Sequence, residues 1–230
     1  MKSLVRAEGM TSRTPLSNCR VDVYIEVLEP FISKWMFIEL KHIATVLEPK
    51  CIHVFNVKRD CEIDVLKKVF GEVRHESVTE ELRLAETYDT VIILDPSAPT
   101  PLSPEDFRGK TAVVIGGIMG SHPPRRRTRE ELTSKMRIGA ARNIGDGQFT
   151  IDGAAYVALE VSRGRRLDEI PVQRGLSLSL KEGIEVVLPY VYPLVGGVPF
   201  ISKEEELYIL TELEEDESSF ISEGRAPSIC

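Results

Sequence analysis

Three segments of this sequence carry most of the chemistry that it could perform. In Val113-Val-Ile-Gly-Gly-Ile-Met-Gly-Ser-His-Pro-Pro124 a β-branched run ends in Gly116 and Gly117, then passes Gly120 and His122 into two prolines. Glycines let backbone amides approach a ligand closely and adopt positive φ. No Gly-Lys-Ser/Thr follows, so this is not a Walker loop, and the spacing 116, 117, 120 departs from GxGxxG. Taken alone, the segment also reads as a turn that needs flexibility, and His122 suits fixing loop geometry as well as touching a ligand. In Ala141–Tyr156, the run Ile144-Gly-Asp-Gly-Gln-Phe149 leads to Thr150, a candidate N-cap, and to the small residues Gly153, Ala154 and Ala155. Such a loop can simply cap its helix. The third segment is Thr90-Val-Ile-Ile-Leu94, a buried-type strand that stops at Asp95-Pro96, because proline cannot continue a central ladder. Three strand ends of this kind in an α/β chain predict a shared pocket at the carboxyl edge of a sheet.

Charged residues near these loops point two ways. Arg125, Arg126, Arg127 and Arg129 follow the first loop directly, and Arg163, Arg165 and Arg166 form a second cluster. They read as a basic mouth for RNA or a ribosome surface, or as solvated loop faces. Glu26 and Glu29 fall at the carboxyl end of the first expected strand. Glu39 lies on the next helix, where it either joins Glu26 and Glu29 in one acidic set or is only a surface charge. Asp146 sits inside the second glycine loop, either facing an acceptor or bracing the loop through backbone amides. Forked carboxylates suit a guanidinium, whose pKa lies above ~12, and repel phosphate. Glu26, Glu29 and Asp146 are the carboxylates that could hold a cation or take a proton beside these loops, and they are catalytic candidates if an arginine is the acceptor.

The elements that position these residues alternate. Val21–Leu28 reads as a strand, then Ser33 caps a helix running to Leu47 with Trp35, Ile38, His42 and Val46 on its apolar stripe. Trp35 reads as core. A strand over Cys51–Asn56 and a helix over Ile63–Phe70 follow, then a short helical segment over Val78–Ala85. After the strands at 90–94 and 111–115 come helices over Arg129–Met136 and Ile151–Arg163. A strand pair turning at Lys181-Glu182-Gly183 and a helix over Lys203–Leu213 complete the pattern. Strands apolar on both faces, alternating with helices, predict an α/β fold with a mainly parallel sheet flanked by helices. The folded domain is expected over 20–213, with 1–19 and 214–230 as flexible termini.

Composition closes off several classes. The chain has 230 residues, 42% of them hydrophobic, and a net charge of −7, which excludes a uniformly basic nucleic-acid coat. No apolar run reaches the ~20 residues of a membrane span. The N-terminal stretch lacks the apolar core of a secretory signal, so a cytoplasmic location with reduced thiols is the default. Cys19, Cys51, Cys61 and Cys230 are scattered, and with the four histidines they show no metal-ligand spacing.

The segment NIGDGQFTIDGAA resembles the last cofactor loop of the SPOUT superfamily of knotted, S-adenosylmethionine-dependent methyltransferases. It is more similar still to the small SPOUT family that includes the fungal methyltransferase of a ribosomal-protein arginine. That family shows LLDP, GGI(L/M)GxHPPRxRT and LGDxQMTxDTA; here the counterparts are ILDP, GGIMGSHPPRRRT and IGDGQFTIDGA, in the same order. Its IIEHMEExFSEWxxLE pattern is paralleled by Tyr24–Glu39. The resemblance spans about Tyr24 to Val161. Phe149 replaces the family's Met and Gly153 its Thr, and the chain from about Gly175 is less similar, which leaves the substrate open.

The resemblance implies a SPOUT-type deep trefoil knot and S-adenosylmethionine as cofactor. Leu94, Asp95 and Pro96 would form the first cofactor loop. Gly116, Gly117, Gly120 and His122 would form the second, and Ile144, Gly145, Gln148 and Phe149 the third. Arg125, Arg126 and Arg127 would meet the macromolecular substrate. The acceptor would be an arginine of a ribosomal or other protein, or an RNA; a cofactor-binding, ribosome-associated protein without turnover is the third reading. Most SPOUT enzymes dimerise across the knot, so monomer and homodimer both stay open.

Overall fold

Every residue of β1 (Val21–Val27) is buried, because this strand runs through the centre of a six-stranded sheet. The structure is a computed structural model and describes residues 19–81, 83–120, 126–179, 185–224 and 226–230. The other strands are β2 (Ile52–Phe55), β3 (Glu72–Val73), β4 (Thr90–Leu94), β5 (Thr111–Gly117) and β6 (Ala140–Arg142). They pair in the order β3-β2-β1-β5-β4-β6, all parallel. The order reverses beside β1 and β5, where Glu26 pairs with Gly116 and Val27 with Gly117. At such a switch point the connections leave in opposite directions and open a crevice at the carboxyl edge.

One sheet face packs against α1 (Lys34–Ile43), α2 (Asp60–Leu66) and α4 (Ile151–Ser162), uniting Ile25, Val27, Met36, Leu40, Leu66, Ala155 and Ala158 in a single core. Ser33 caps α1 by accepting from Met36 N, as its position predicts. Thr150 does the same for α4 through Gly153 N. Helix α4 is buried on nearly all sides, which explains its Gly-Ala-Ala start. The opposite face is covered by short segments, among them α3 (Leu84–Thr87), around Tyr24, Phe55, Val91, Val114 and Leu132. A second, antiparallel sheet of β7 (Val172–Ser179), β8 (Glu185–Val195) and β9 (Val198–Pro199) is followed by α5 (Lys203–Thr211) and α6 (Leu213–Glu223). Residues Lys181, Glu182 and Gly183, the expected turn of this pair, lie outside the described residues.

Four features differ from the sequence-based expectation. Strand β6 is only Ala140-Ala-Arg142, without β-branched residues, and its position comes from pairing with β4. The expected helix over Arg129–Met136 is a π-turn over Thr128–Leu132 followed by a 3-10 turn over Thr133–Lys135. The chain after 213 is not loose: α6 is formed, Lys34 N donates to Pro227 O, and Ile229 N donates to Ile32 O. The thiols are not reduced either. Cys19 bonds to Cys51, and Cys61 to Cys230 across 169 positions, pairings that scattered spacing could not reveal. Residues 1–18 of the expected loose N-terminus lie outside the described residues.

Candidate active site

A cavity of about 260 Å³ opens at the carboxyl edge of the parallel sheet. Leu94, Asp95, Pro96 and Ser97 line it from the end of β4, and Ile115, Gly116 and Ile118 from β5. Arg126, Thr128 and Arg129 contribute from the following turn. Ile144, Gly145, Gln148 and Phe149 come from the glycine loop, and Ile151 and Ala154 from α4. The three loops singled out in the sequence thus meet around one space.

Local bonding fixes these loops. Asp95 is 1% exposed; its carboxylate accepts from Ser97 N at 2.8 Å and lies 3.5 Å from Arg129 Nη1. Asn143 donates from Nδ2 to Ala98 O and accepts Gly145 N, tying the first loop to the third. Gly145 has φ +104°, which calls for glycine there, and no atom lies within 4 Å of where a Cβ would stand, so the space beside it is open. Gly117 and Gly120 do not line the cavity. A Cβ on Gly117 would stand 3.1 Å from Ile25 Cγ2, and one on Gly120 would collide with the Gln148 and Tyr190 side chains. Their place is the close approach of chain segments. His122 and Arg125 lie outside the described residues.

The carboxylates are distributed otherwise than the sequence suggests. Glu26 is 2% exposed and accepts from Ser77 Oγ (2.6 Å) and Val78 N (2.9 Å), away from the cavity lining. Burial raises its pKa, and it braces the turn after β3. Glu29 accepts from Met119 N and from Arg127 Nη1 at 2.6 Å. Arg127 also donates to Leu28 O and Glu131, so its guanidinium is fully engaged within the protein rather than free for a substrate. Asp146 is exposed, and its backbone oxygen accepts from Arg174. Neither Glu26, Glu29 nor Asp146 lines the cavity. Of the second arginine cluster, Arg163 and Arg165 pair with Glu160, and Arg166 with Asp168.

Behind the N-terminus of α4 lies a group that sequence reading did not assemble. Glu39, Asp152 and Glu205 are buried together, and burial with mutual repulsion raises the pKa of Glu39 and of Glu205, the latter to about 8. Glu39 is therefore no surface charge. It accepts Ile151 N, and Asp152 accepts Gly153 N and lies 2.6 Å from His42 Nδ1. Trp35, expected as core, is half-buried and donates its indole N–H to Glu205 at 3.0 Å. Tyr190 and Tyr192 of β8 complete the wall; burial and the Glu39 and Glu205 charges push their phenols up. Trp35, Glu39 and Asp152 all stand in segments that carry the family resemblance. Glu205, at the third position of a helix capped by Ser202, has the look of an ordinary first-turn residue.

Comparison with known proteins agrees with this geometry. Residues 22–216 match the family described as "Protein arginine N-methyltransferase SFM1-like". A stretch of 64 residues is 45% identical to the protein arginine N-methyltransferase SFM1 of Saccharomyces cerevisiae, covering 28% of this chain and 30% of that protein. The sequence match thus spans under a third of the relative's length. The crystal structure of yeast arginine methyltransferase SFM1 complexed with SAM superposes with a TM-score of 0.72 at 24% identity, over 84% of this chain and 90% of that one. A structure titled "A novel protein arginine methyltransferase" gives a TM-score of 0.67 at 23% identity, over 85% of this chain and 100% of that one. The fold is α/β of SPOUT type, a mainly parallel sheet flanked by helices. Since the match runs over residues 22–216, the chain belongs to the SFM1-like family of protein arginine N-methyltransferases.

Proposed function

We propose that this protein transfers a methyl group from S-adenosylmethionine to an arginine side chain of a protein. The observation that carries the reading is the convergence of the three family loops on one cavity, in a chain that matches the family over 22–216. The residues fit the cofactor. Leu94, Ile115, Ile118 and Phe149 offer apolar walls for an adenine, and Gly145 leaves open space at a backbone position that a side chain would fill. Yeast SFM1, a structural neighbour, is complexed with SAM in one structure and with SAH in another. When bound, the cofactor supplies a methyl group already activated by its sulfonium, so the protein's task is to orient an acceptor nitrogen and receive a proton.

The distribution of charge favours a protein acceptor over RNA. Arg127, Arg129, Arg163, Arg165 and Arg166 each face a carboxylate of the protein itself, which cancels much of the attraction to phosphate. A ribosomal protein as acceptor and the trefoil knot belong to the same reading. So does a cytoplasmic setting, which two disulfides suit in organisms whose cytosol sustains them. None of the described helices is long and apolar enough to cross a membrane.

Calorimetry of the full chain with S-adenosylhomocysteine tests the cofactor, with 1:1 binding expected. Incubation with methyl-labelled S-adenosylmethionine and cell extract, split between nuclease and protease, tests the acceptor. Label released by protease and retained after nuclease is the expected result; the reverse makes RNA the acceptor.

A further inference from the structure

We propose that the buried carboxylates of Glu39, Asp152 and Glu205 seat the acceptor guanidinium, which reaches them past the edge-to-face pair of Trp35 and Tyr190. The inference rests on the methyltransferase reading above and adds the place and the proton acceptor of the arginine.

The first argument is unbalanced charge. The three carboxylates are at most 4% exposed, and among the described residues one basic side chain, His42, is ion-paired to them. Buried carboxylates are normally matched by cations or stay protonated. The second is unmet hydrogen bonding. Glu205 Oε1 accepts from Trp35, whereas Glu205 Oε2 and Tyr192 Oη, both fully buried, have no partner. Unpartnered buried polar atoms are rare and call for an explanation; a guanidinium, with several N–H donors, supplies a partner for the carboxylate and the phenol oxygen alike.

The third argument is position. Ile151, whose N–H is held by Glu39, is also a wall of the cavity. Tyr190 and Gln148, another wall residue, both lie against Gly120, and the Tyr190 hydroxyl donates to Gly120 O at 3.4 Å. Its ring meets Trp35 edge to face with centroids 6.4 Å apart. Both aromatics are half-buried, and the proposed path of the guanidinium to the carboxylates runs past them. A guanidinium fits such a route better than an ammonium. It is planar, stacks on aromatic faces and presents five N–H donors in a fork, whereas an ammonium is a strongly hydrated point charge.

The chemistry balances with these groups. The acceptor nitrogen forms a bond to the methyl carbon as the carbon–sulfur bond breaks, its electron pair returning to sulfur. The proton released from that nitrogen passes to Glu205 Oε2, which the bound cationic guanidinium holds ionised until the transfer and whose buried surroundings favour the protonated form once that charge is lost. Asp152 holds His42 and shapes the box as a positioning residue.

Trp35 is the sole tryptophan of the chain, so its emission reads the mouth of the box directly. The probe is acetyl-Gly-Arg-Gly-amide, titrated at pH 8 into the full chain with S-adenosylhomocysteine present; the citrulline peptide is the neutral isostere. A saturable emission change with arginine and none with citrulline is expected. Glu205→Gln, which keeps an oxygen for the indole N–H, should weaken the arginine response at least tenfold with S-adenosylhomocysteine affinity unchanged. Tyr192→Phe removes only an unpartnered hydroxyl and should weaken it too, which keeps the test open if Glu205→Gln melts early. An equal response to citrulline, no response in wild-type protein, or an unaltered response in both variants overturns the box. Wild-type protein that fails to bind S-adenosylhomocysteine overturns the methyltransferase reading instead; an arginine-selective response lost in Glu205→Gln then still upholds the guanidinium seat.

Discussion

Glu39 of α1 accepts the backbone N–H of Ile151, the first residue of α4, at 2.8 Å across 112 positions of sequence. A helix N-terminus leaves its first N–H groups without intrahelical partners and carries a partial positive charge. Thr150 satisfies one of these donors and Glu39 another, so α1 and α4 are locked at the point where α4 walls the cavity.

That relationship separates two substitutions. Glu39→Gln keeps an oxygen for Ile151 N and relieves buried charge, so stability should hold or rise. Glu39→Ala strands a buried donor and should cost about 1–3 kcal/mol. Urea unfolding of both variants measures the difference, and equal midpoints would remove Glu39 from the bracing of α4.

The buried carboxylates also predict a pH trend. Burial raises Glu205 to about 8, well above its unfolded value, so the native state holds a proton that the unfolded chain releases. The stability this group contributes is full at acid pH and is lost as pH climbs towards and through 8. Even one pKa unit of such a shift, about 1.4 kcal/mol, moves Tm by about 3–6 °C. Melting temperatures should therefore fall progressively from pH 5 to about 8 and level off above it, and Glu205→Gln should flatten the trend.

Two glycines should fail differently. Gly117→Val pushes a side chain against Ile25 and the β1 backbone, so it should lower stability by about 1–3 kcal/mol. Gly145→Val meets open space at φ +104°. It should cost about 1–2 kcal/mol in strain, remain folded, and lose cofactor binding because the branched side chain occupies the cavity. Calorimetry with S-adenosylhomocysteine on folded Gly145→Val decides; unchanged affinity would exclude the third loop from the cofactor site.

Arg127 and Arg126 are adjacent in sequence and opposite in role. Arg127→Glu places a third carboxylate beside Glu29 and Glu131 and should destabilise the protein by about 1–3 kcal/mol. Arg126 is exposed on the cavity rim, so Arg126→Glu should leave the melting temperature within about 2 °C. Thermal melts of the two variants side by side provide the check.

The Cys61–Cys230 bond anchors a tail whose Ser228 and Ile229 bond to Glu62 and Ile32. Cys230→Ser should cost about 2–4 kcal/mol, the usual range for losing a long-loop disulfide. Wild-type protein in reductant should melt at the same lowered temperature if Cys19–Cys51 contributes little.

Local pattern was enough to place β4, β5 and the start of α4: β-branched runs closed by Asp95-Pro96 and by Gly116-Gly117, and Thr150 ahead of small residues, each specify one local geometry. The loops that line the cavity were legible for the same reason, since glycine and proline punctuate strand ends wherever the strands go. What tertiary structure alone decided is which charge faces which space. Glu26 ends a strand at the right edge, but side-chain parity and the turn at Ser77–Val78 take it to a bracing site. Glu39 and Glu205, 166 positions apart, become neighbours only when α5 packs against α1 and Trp35 donates to Glu205. No spacing rule encodes that pairing, because a carboxylate on a helix looks the same in sequence whether its face meets water or another helix. Strand β6 shows the same limit in the backbone: Ala140-Ala-Arg142 is extended because β4 offers an open edge, not because its residues prefer it.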